Sequence, residues 1–157
     1  MKFKVEERII PPKEMIVGDP EAKVLIEEYG DYESADTAKI HDVMRQLLET
    51  YKGKIKYNFR HFPLTRIHQR SFKAAEAAIA AGQEGKFWEM HNILLNHQRN
   101  LGTISLKGYA RDVGVTRKHF LDDLMNSKFG WYVRDDQMQA VDAGVTDVPA
   151  IFVNGER

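Results

Sequence analysis

Residues 23–62 constrain the fold more than any other stretch, because they read as strand, helix and strand with little slack between them. Val24, Leu25 and Ile26 form an apolar run suited to a central strand covered on both faces. This strand is expected over residues 23–29. A turn at Gly30-Asp31 follows, then a small polar cluster from Ser34 to Thr37. Ile40, Val43, Met44, Leu47 and Leu48 recur at the spacing of one helical face, which predicts a helix over residues 35–51, with Gly53 as its stop. Ile55, Tyr57 and Phe59 then alternate with Lys56, Asn58 and Arg60, the period of a second strand. In that order the three elements make a βαβ unit with a right-handed crossover.

The flanks are less regular. Residues 1–22 read as a lead-in segment in which Phe3 and Val5 alternate weakly, and Pro11-Pro12 bars regular pairing. An added edge strand is therefore expected only before the prolines. Beyond Phe62-Pro63-Leu64 the pattern turns helical. Phe72, Ala75, Ala78 and Ile79 line one face of an alanine-rich helix ended by Gly82, and a second helix is expected over residues 85–98. Shorter helices follow over 105–113 and 116–125, with Ser105 and Thr116 as N-caps, and a longer one runs from Phe129 to about residue 143. Gly144 to Pro149 breaks the helical pattern, residues 150–153 read as a strand, and Asn154-Gly155 is a hairpin turn signal. A hairpin needs a returning strand, and only Glu156 and Arg157 remain. The expectation is that a final strand and helix are missing from this sequence, or that the edge is left open or filled by another segment.

The chain has 157 residues, 43% of them hydrophobic, enough for one domain with a full core. The expected organisation is one α/β domain over 23–157 with a helical insertion over about 65–144. Lysine plus arginine equals aspartate plus glutamate at 23 each, so no basic surplus points to nucleic acid. Nothing approaches the length of a membrane span or a secretory h-region, so a cytoplasmic location is the expectation. The chain contains no cysteine. That excludes a disulfide framework, thiolate metal sites and a thiol redox cycle within it.

The segment Gly30-Asp31-Tyr32-Glu33-Ser34-Ala35-Asp36-Thr37 resembles the active-site segment of the DsbA-like branch of the thioredoxin superfamily, which reads Gly-Asp-aromatic-x-Cys-x-x-Cys. The resemblance extends from Gly18 to Arg157 through Phe59 to Leu64, Ala74 to Ala78, Gly85 to His91 and Gly144 to Gly155. It is also similar to thioredoxin-type domains fused behind some bacterial sodium/proton antiporters. The resemblance implies a thioredoxin core split by a helical insertion. It places Ser34 and Thr37 at the two cysteine positions, Ala35 and Asp36 between them, and Pro149 after Val148 at the cis-proline facing the helix start. Glu28 falls on the buried acid beneath the site.

Serine and threonine hydroxyls form no stable equivalent of a mixed disulfide, so disulfide exchange is not expected. What remains is a helix N-terminus facing a cis-proline loop, a frame for an extended peptide or a partner protein. Ser34, Ala35, Asp36, Thr37, Val148 and Pro149 are its expected lining, and no cofactor is required. The alternative is a kappa-class-like glutathione transferase or isomerase, in which Ser34 would hold the glutathione thiolate. Asp36 opposes that, because a carboxylate at the helix start repels a thiolate. The simplest role of Ser34, Asp36 and Thr37 is helix capping, worth about 1 kcal/mol. Glu28 is assigned no catalytic role. His41, His61, His68, His91, His97 and His119 lack metal-ligand spacing and are assigned to packing or surface. Trp131-Tyr132 is expected in the core. An uncovered strand edge at the hairpin would make a homodimer one expected assembly.

Overall fold

The computed structural model describes residues 7–157. Its sheet has four strands in the order β1 (Ile16–Gly18), β3 (Ile55–His61), β2 (Val24–Gly30) and β4 (Ala150–Val153). The central pair β2 and β3 runs parallel, with Ile26 opposite Tyr57 and Glu28 opposite Phe59. A parallel pair needs a crossover, and α1 (Ala35–Thr50) supplies it. β1 and β4 lie antiparallel at the two edges. Between β3 and β4 come the five helices of the insertion: α2 (Ser71–Gly82), α3 (Phe87–Asn96), α4 (Thr103–Asp112), α5 (Phe120–Met125) and α6 (Gly130–Asp142).

Strand alternation sorts the sheet into two faces. Ile26, Tyr57 and Phe59 belong to the large core cluster, together with Met44 of α1, the alanines of α2, and Phe87, Met90 and Leu94 of α3. The alanine run is buried from Ala74 to Ala81, so α2 is surrounded by its neighbours and needs small side chains to fit. On the opposite face Tyr29 and Ala150 pack with Ala140 of α6 and Val145 in a second, smaller cluster.

Three sequence expectations change in the structure. The edge strand lies after the prolines, because Pro12 starts a 3-10 turn over Pro12–Glu14 and the chain leaves it directly into β1. Residues 7–11 form no strand, and Phe3 and Val5 lie outside the described residues. Ser105 and Thr116 are not N-caps. α4 starts two residues earlier, after Gly102, and α5 starts after His119. Thr116 instead donates both its N–H and its hydroxyl to Glu84 Oε1, at 2.9 and 2.7 Å, a tertiary partner that replaces the local one. Trp131 is 60% exposed, because α6 turns Val133, Asp136 and Ala140 inward. Beyond these, Asn58 and Arg60 of β3 are buried in the structure. Asn58 donates to the carbonyls of Pro12 and Met15, and Arg60 is buried against Asp136 of α6.

The Asn154-Gly155 turn does close a hairpin. Both residues have positive φ, the geometry of a two-residue turn that follows strand twist, and Val153 and Glu156 exchange hydrogen bonds of 2.7 and 3.0 Å. Asn154 Oδ1 also accepts the Leu25 N–H at 2.8 Å, which ties the turn to β2.

Candidate functional site

The segment after β2 is held in place by one buried carboxylate. Asp31 Oδ1 accepts the N–H of Glu33 at 2.7 Å, an Asx-type turn, while Oδ2 accepts the Leu64 N–H at 2.7 Å and His68 Nδ1 at 2.8 Å. One side chain thus fixes its own loop and the loop after β3. Gly30 is required just before it, because a Cβ there would stand 2.5 Å from the Phe59 ring and 2.9 Å from Thr37 Cγ2. The Ser34 N–H donates to the Asp31 carbonyl at 3.0 Å, and α1 begins at the next residue.

At the helix start, Ser34 is the N-cap. Its Oγ accepts the Thr37 N–H at 3.1 Å, and Thr37 Oγ1 accepts the Asp31 N–H at 3.3 Å. Thr37 is fully buried and Ser34 is 8% exposed, whereas Ala35 and Asp36 face solvent. Gln98, just beyond α3, donates to the carbonyls of Tyr32 and Ser34 at 2.9 and 2.8 Å. Ser34 and Thr37, the positions that the resemblance aligns with the two cysteines, are therefore held by their own turn and by Gln98 from beyond α3. Val148 is buried, its peptide bond to Pro149 is cis, and Ala150 pairs with Tyr29. That register brings Val148-Pro149 to the same end of the sheet as the start of α1.

Beneath the site Glu28 is 1% exposed and accepts the Tyr57 hydroxyl at 2.9 Å. Burial pushes its carboxyl up to about 8, and the Tyr57 hydrogen bond offsets only part of that. Beside it lies a group that no spacing in the sequence announces. The ring centroids of His41 and His91 are 5.0 Å apart, Phe59 lies 4.5 Å from His91, and Tyr32 shares a 2.9 Å hydrogen bond with His91 Nδ1. His61 touches the same Tyr32 and Phe59 rings. Burial lowers all three histidines, His61 to about 3, so they are neutral near pH 7. These imidazoles act as aromatic packing, and no His, Cys, Asp or Glu cluster with metal-holding geometry occurs among the described residues. His97 and His119 lie at the surface.

Asp31, His68 and Gln98 were missed as site residues by the sequence reading. The Asp-x-Glu turn pattern was a usable local signal for Asp31; His68 and Gln98 are long-range partners with none.

The chain matches the family model described as Thioredoxin over residues 11–157. It is 37% identical over 147 residues to the sodium/proton antiporter NhaA 1 of Salinispora arenicola, covering 94% of this chain and 22% of that protein. The chain thus spans about a fifth of the curated relatives it matches. No helix among the described residues is long and apolar enough to cross a membrane. Among solved structures, it is similar to BdbD of Bacillus subtilis, with a TM-score of 0.82 and 21% identity over 93% of this chain and 82% of that one. It is also similar to the thiol-disulfide exchange protein alpha-DsbA2 of Wolbachia pipientis, with a TM-score of 0.75 and 23% identity over 88% and 74%. The chain belongs to the thioredoxin family, has the fold of its DsbA-like members with their helical insertion, and carries no cysteine.

Proposed function

We propose that this chain is a redox-inactive binding module that takes an extended peptide or a segment of a partner protein between the start of α1 and the Val148-Pro149 loop. The observation that carries this reading is the state of the two former-cysteine positions. The Ser34 oxygen is engaged as a helix cap, and Thr37 is wholly buried, with its hydroxyl accepting from Asp31. Neither side chain can serve as a leaving group or form a mixed disulfide. Strand addition at a backbone edge uses main-chain hydrogen bonds and needs no sulfur.

The relatives named as antiporters add a context to the proposal. The matching segment is about a fifth of those polypeptides and contains no membrane-length helix among its described residues. An appended module that contacts a partner surface fits that better than a part of the transport unit.

Two measurements test the reading. Insulin reduction by the pure protein should stay at the buffer control; turnover above it would overturn the redox-inactive assignment. In labelled protein, an unstructured peptide should move the amide signals of residues 34–37 and 148–151 saturably. If reduced glutathione does so at both segments and the peptide does not, the thiol-transfer alternative replaces this one.

A further inference from the structure

Two loops frame the start of α1, and both are basic. The loop over residues 65–70 carries Arg66, His68 and Arg70 with no acid, and the loop over residues 97–100 carries His97 and Arg99 with none. The charge of the whole chain sums to zero, so this is a local excess on a balanced surface. Asp31 accepts from Leu64 and His68, and Glu33 Oε2 accepts the Arg70 N–H at 3.0 Å. Those bonds tie the first loop to the helix start. Gln98 ties the second through the carbonyls of Tyr32 and Ser34. Arg70 also reaches the segment that follows the second loop, since its guanidinium carbon lies 3.9 Å from where a Cβ on Gly102, just before α4, would stand.

Arg66, Arg70 and Arg99 are exposed, and among the described residues none of them forms an ion pair. Of the nearby acids, Asp31 is buried against His68 and Asp36 lies 3.7 Å from Lys39, while Glu33 accepts the Arg70 backbone N–H and keeps its charge, so the three arginines outnumber the one carboxylate left without a cationic neighbour. A guanidinium fork matches a carboxylate in two parallel hydrogen bonds, so unpaired arginines on anchored backbone are receptors held ready for one. Pre-organisation by the buried Asp31 spares the ordering cost that a free loop would impose on binding. Ile67, 69% exposed in the same loop, offers an aliphatic contact between the two arginines.

We propose that these loops form a basic rim selecting an acidic extended segment, rich in aspartate and glutamate, of a partner protein. The inference rests on the groove reading above and names its partner class. The rim's field reaches roughly 8–10 Å at physiological salt, enough to steer a segment toward the groove but not to hold it at high salt.

The test uses the full chain and four probes of equal length: an unstructured Asp/Glu peptide, its Asn/Gln counterpart, its Lys counterpart, and a single-stranded oligonucleotide. Binding is followed by calorimetry and by amide shifts at about 0.05 M and 0.5 M salt. The acidic peptide should bind about tenfold more tightly than the neutral one at low salt, lose most of that advantage at high salt, and shift residues 66–70 and 98–100. The triple variant R66E/R70E/R99E should abolish the preference with unchanged circular dichroism, and R66Q/R70Q/R99Q should reduce it. Equal binding of acidic and neutral peptides, with shifts at Val148-Pro149, overturns the rim and leaves the groove reading standing. Acidic binding with shifts confined to the two loops keeps the rim and overturns the groove reading. Equal or tighter binding of the oligonucleotide overturns the peptide assignment, and absence of binding by every peptide overturns both.

Discussion

Glu28 and the neutral histidines around Tyr32 set the pH response at the scale of single residues. Glu28 has an ordinary value of 4.5 and is pushed to about 8, so its contribution to stability is complete below pH 4.5 and is lost as pH rises through 8. His61 runs the other way. Its value falls from 6.5 to about 3, so its contribution is complete above pH 6.5 and is lost as pH falls toward 3, and His91 acts in the same direction. Each limb is worth on the order of a few kcal/mol. Unfolding free energy measured in urea should therefore peak between about pH 6 and 7 and fall on both sides. Glu28→Gln keeps an acceptor for Tyr57 and removes the titration, so it should flatten the alkaline limb while leaving the acid limb in place. An unchanged alkaline slope would show that some other group causes it. The resemblance placed Glu28 as a buried acid under the site, but its Tyr57 partner and the meeting of His41, His61 and His91 depend on α1, β3 and α3 packing together.

Elements carry the next set of consequences, beginning with the link between β3 and α6. Arg60 Nε donates to Asp136 Oδ1 at 2.8 Å, its NH2 reaches Asp136 at 2.7 Å and Gln139 at 2.7 Å, and the His61 N–H donates to Asp136 Oδ2. Both charges are buried, and without Asp136 the Arg60 guanidinium keeps only the neutral Gln139 and a Glu27 carboxylate 3.9 Å away. Asp136→Ala should cost about 3–5 kcal/mol in chemical denaturation, and the double variant R60M/D136L should recover much of it. A double variant no more stable than the single one would show that packing, not the unpaired charge, sets the loss. The start of α1 gives a second test. Ser34 and Thr37 stand three residues apart at the helix N-terminus, the arrangement of a Cys-x-x-Cys pair. In S34C/T37C, oxidation should remove two hydrogens by mass spectrometry and block thiol alkylation. A folded double variant that stays fully alkylatable would overturn the placement of the site. The helix and its cap were readable from periodicity and residue type. The caps at Ser105 and Thr116 were misread because local rules see no tertiary partner such as Glu84, which takes both donors of Thr116.

For the whole molecule, the proposed function rests on what the fold brings to one end of the sheet. The Ser34 segment, the loop after β3, the loop after α3 and Val148-Pro149 come from four separated stretches of chain, and the parallel β2–β3 pair with antiparallel β4 gathers them. The sequence by itself determined the strand–helix–strand core, the insertion, the absence of sulfur and the Ser34 cap. Each of these is written in local periodicity or in residue identity, which act over a few positions. Only the tertiary structure decided that the polar face of β3 is buried, that Trp131 is exposed, that β1 follows the prolines, and that two arginine-bearing loops are tied to the segment before α1. Those outcomes depend on partners as far apart in the chain as Arg60 and Asp136, and the physics that selects among such partners, burial and the satisfaction of every buried donor, acts in space and not along the chain.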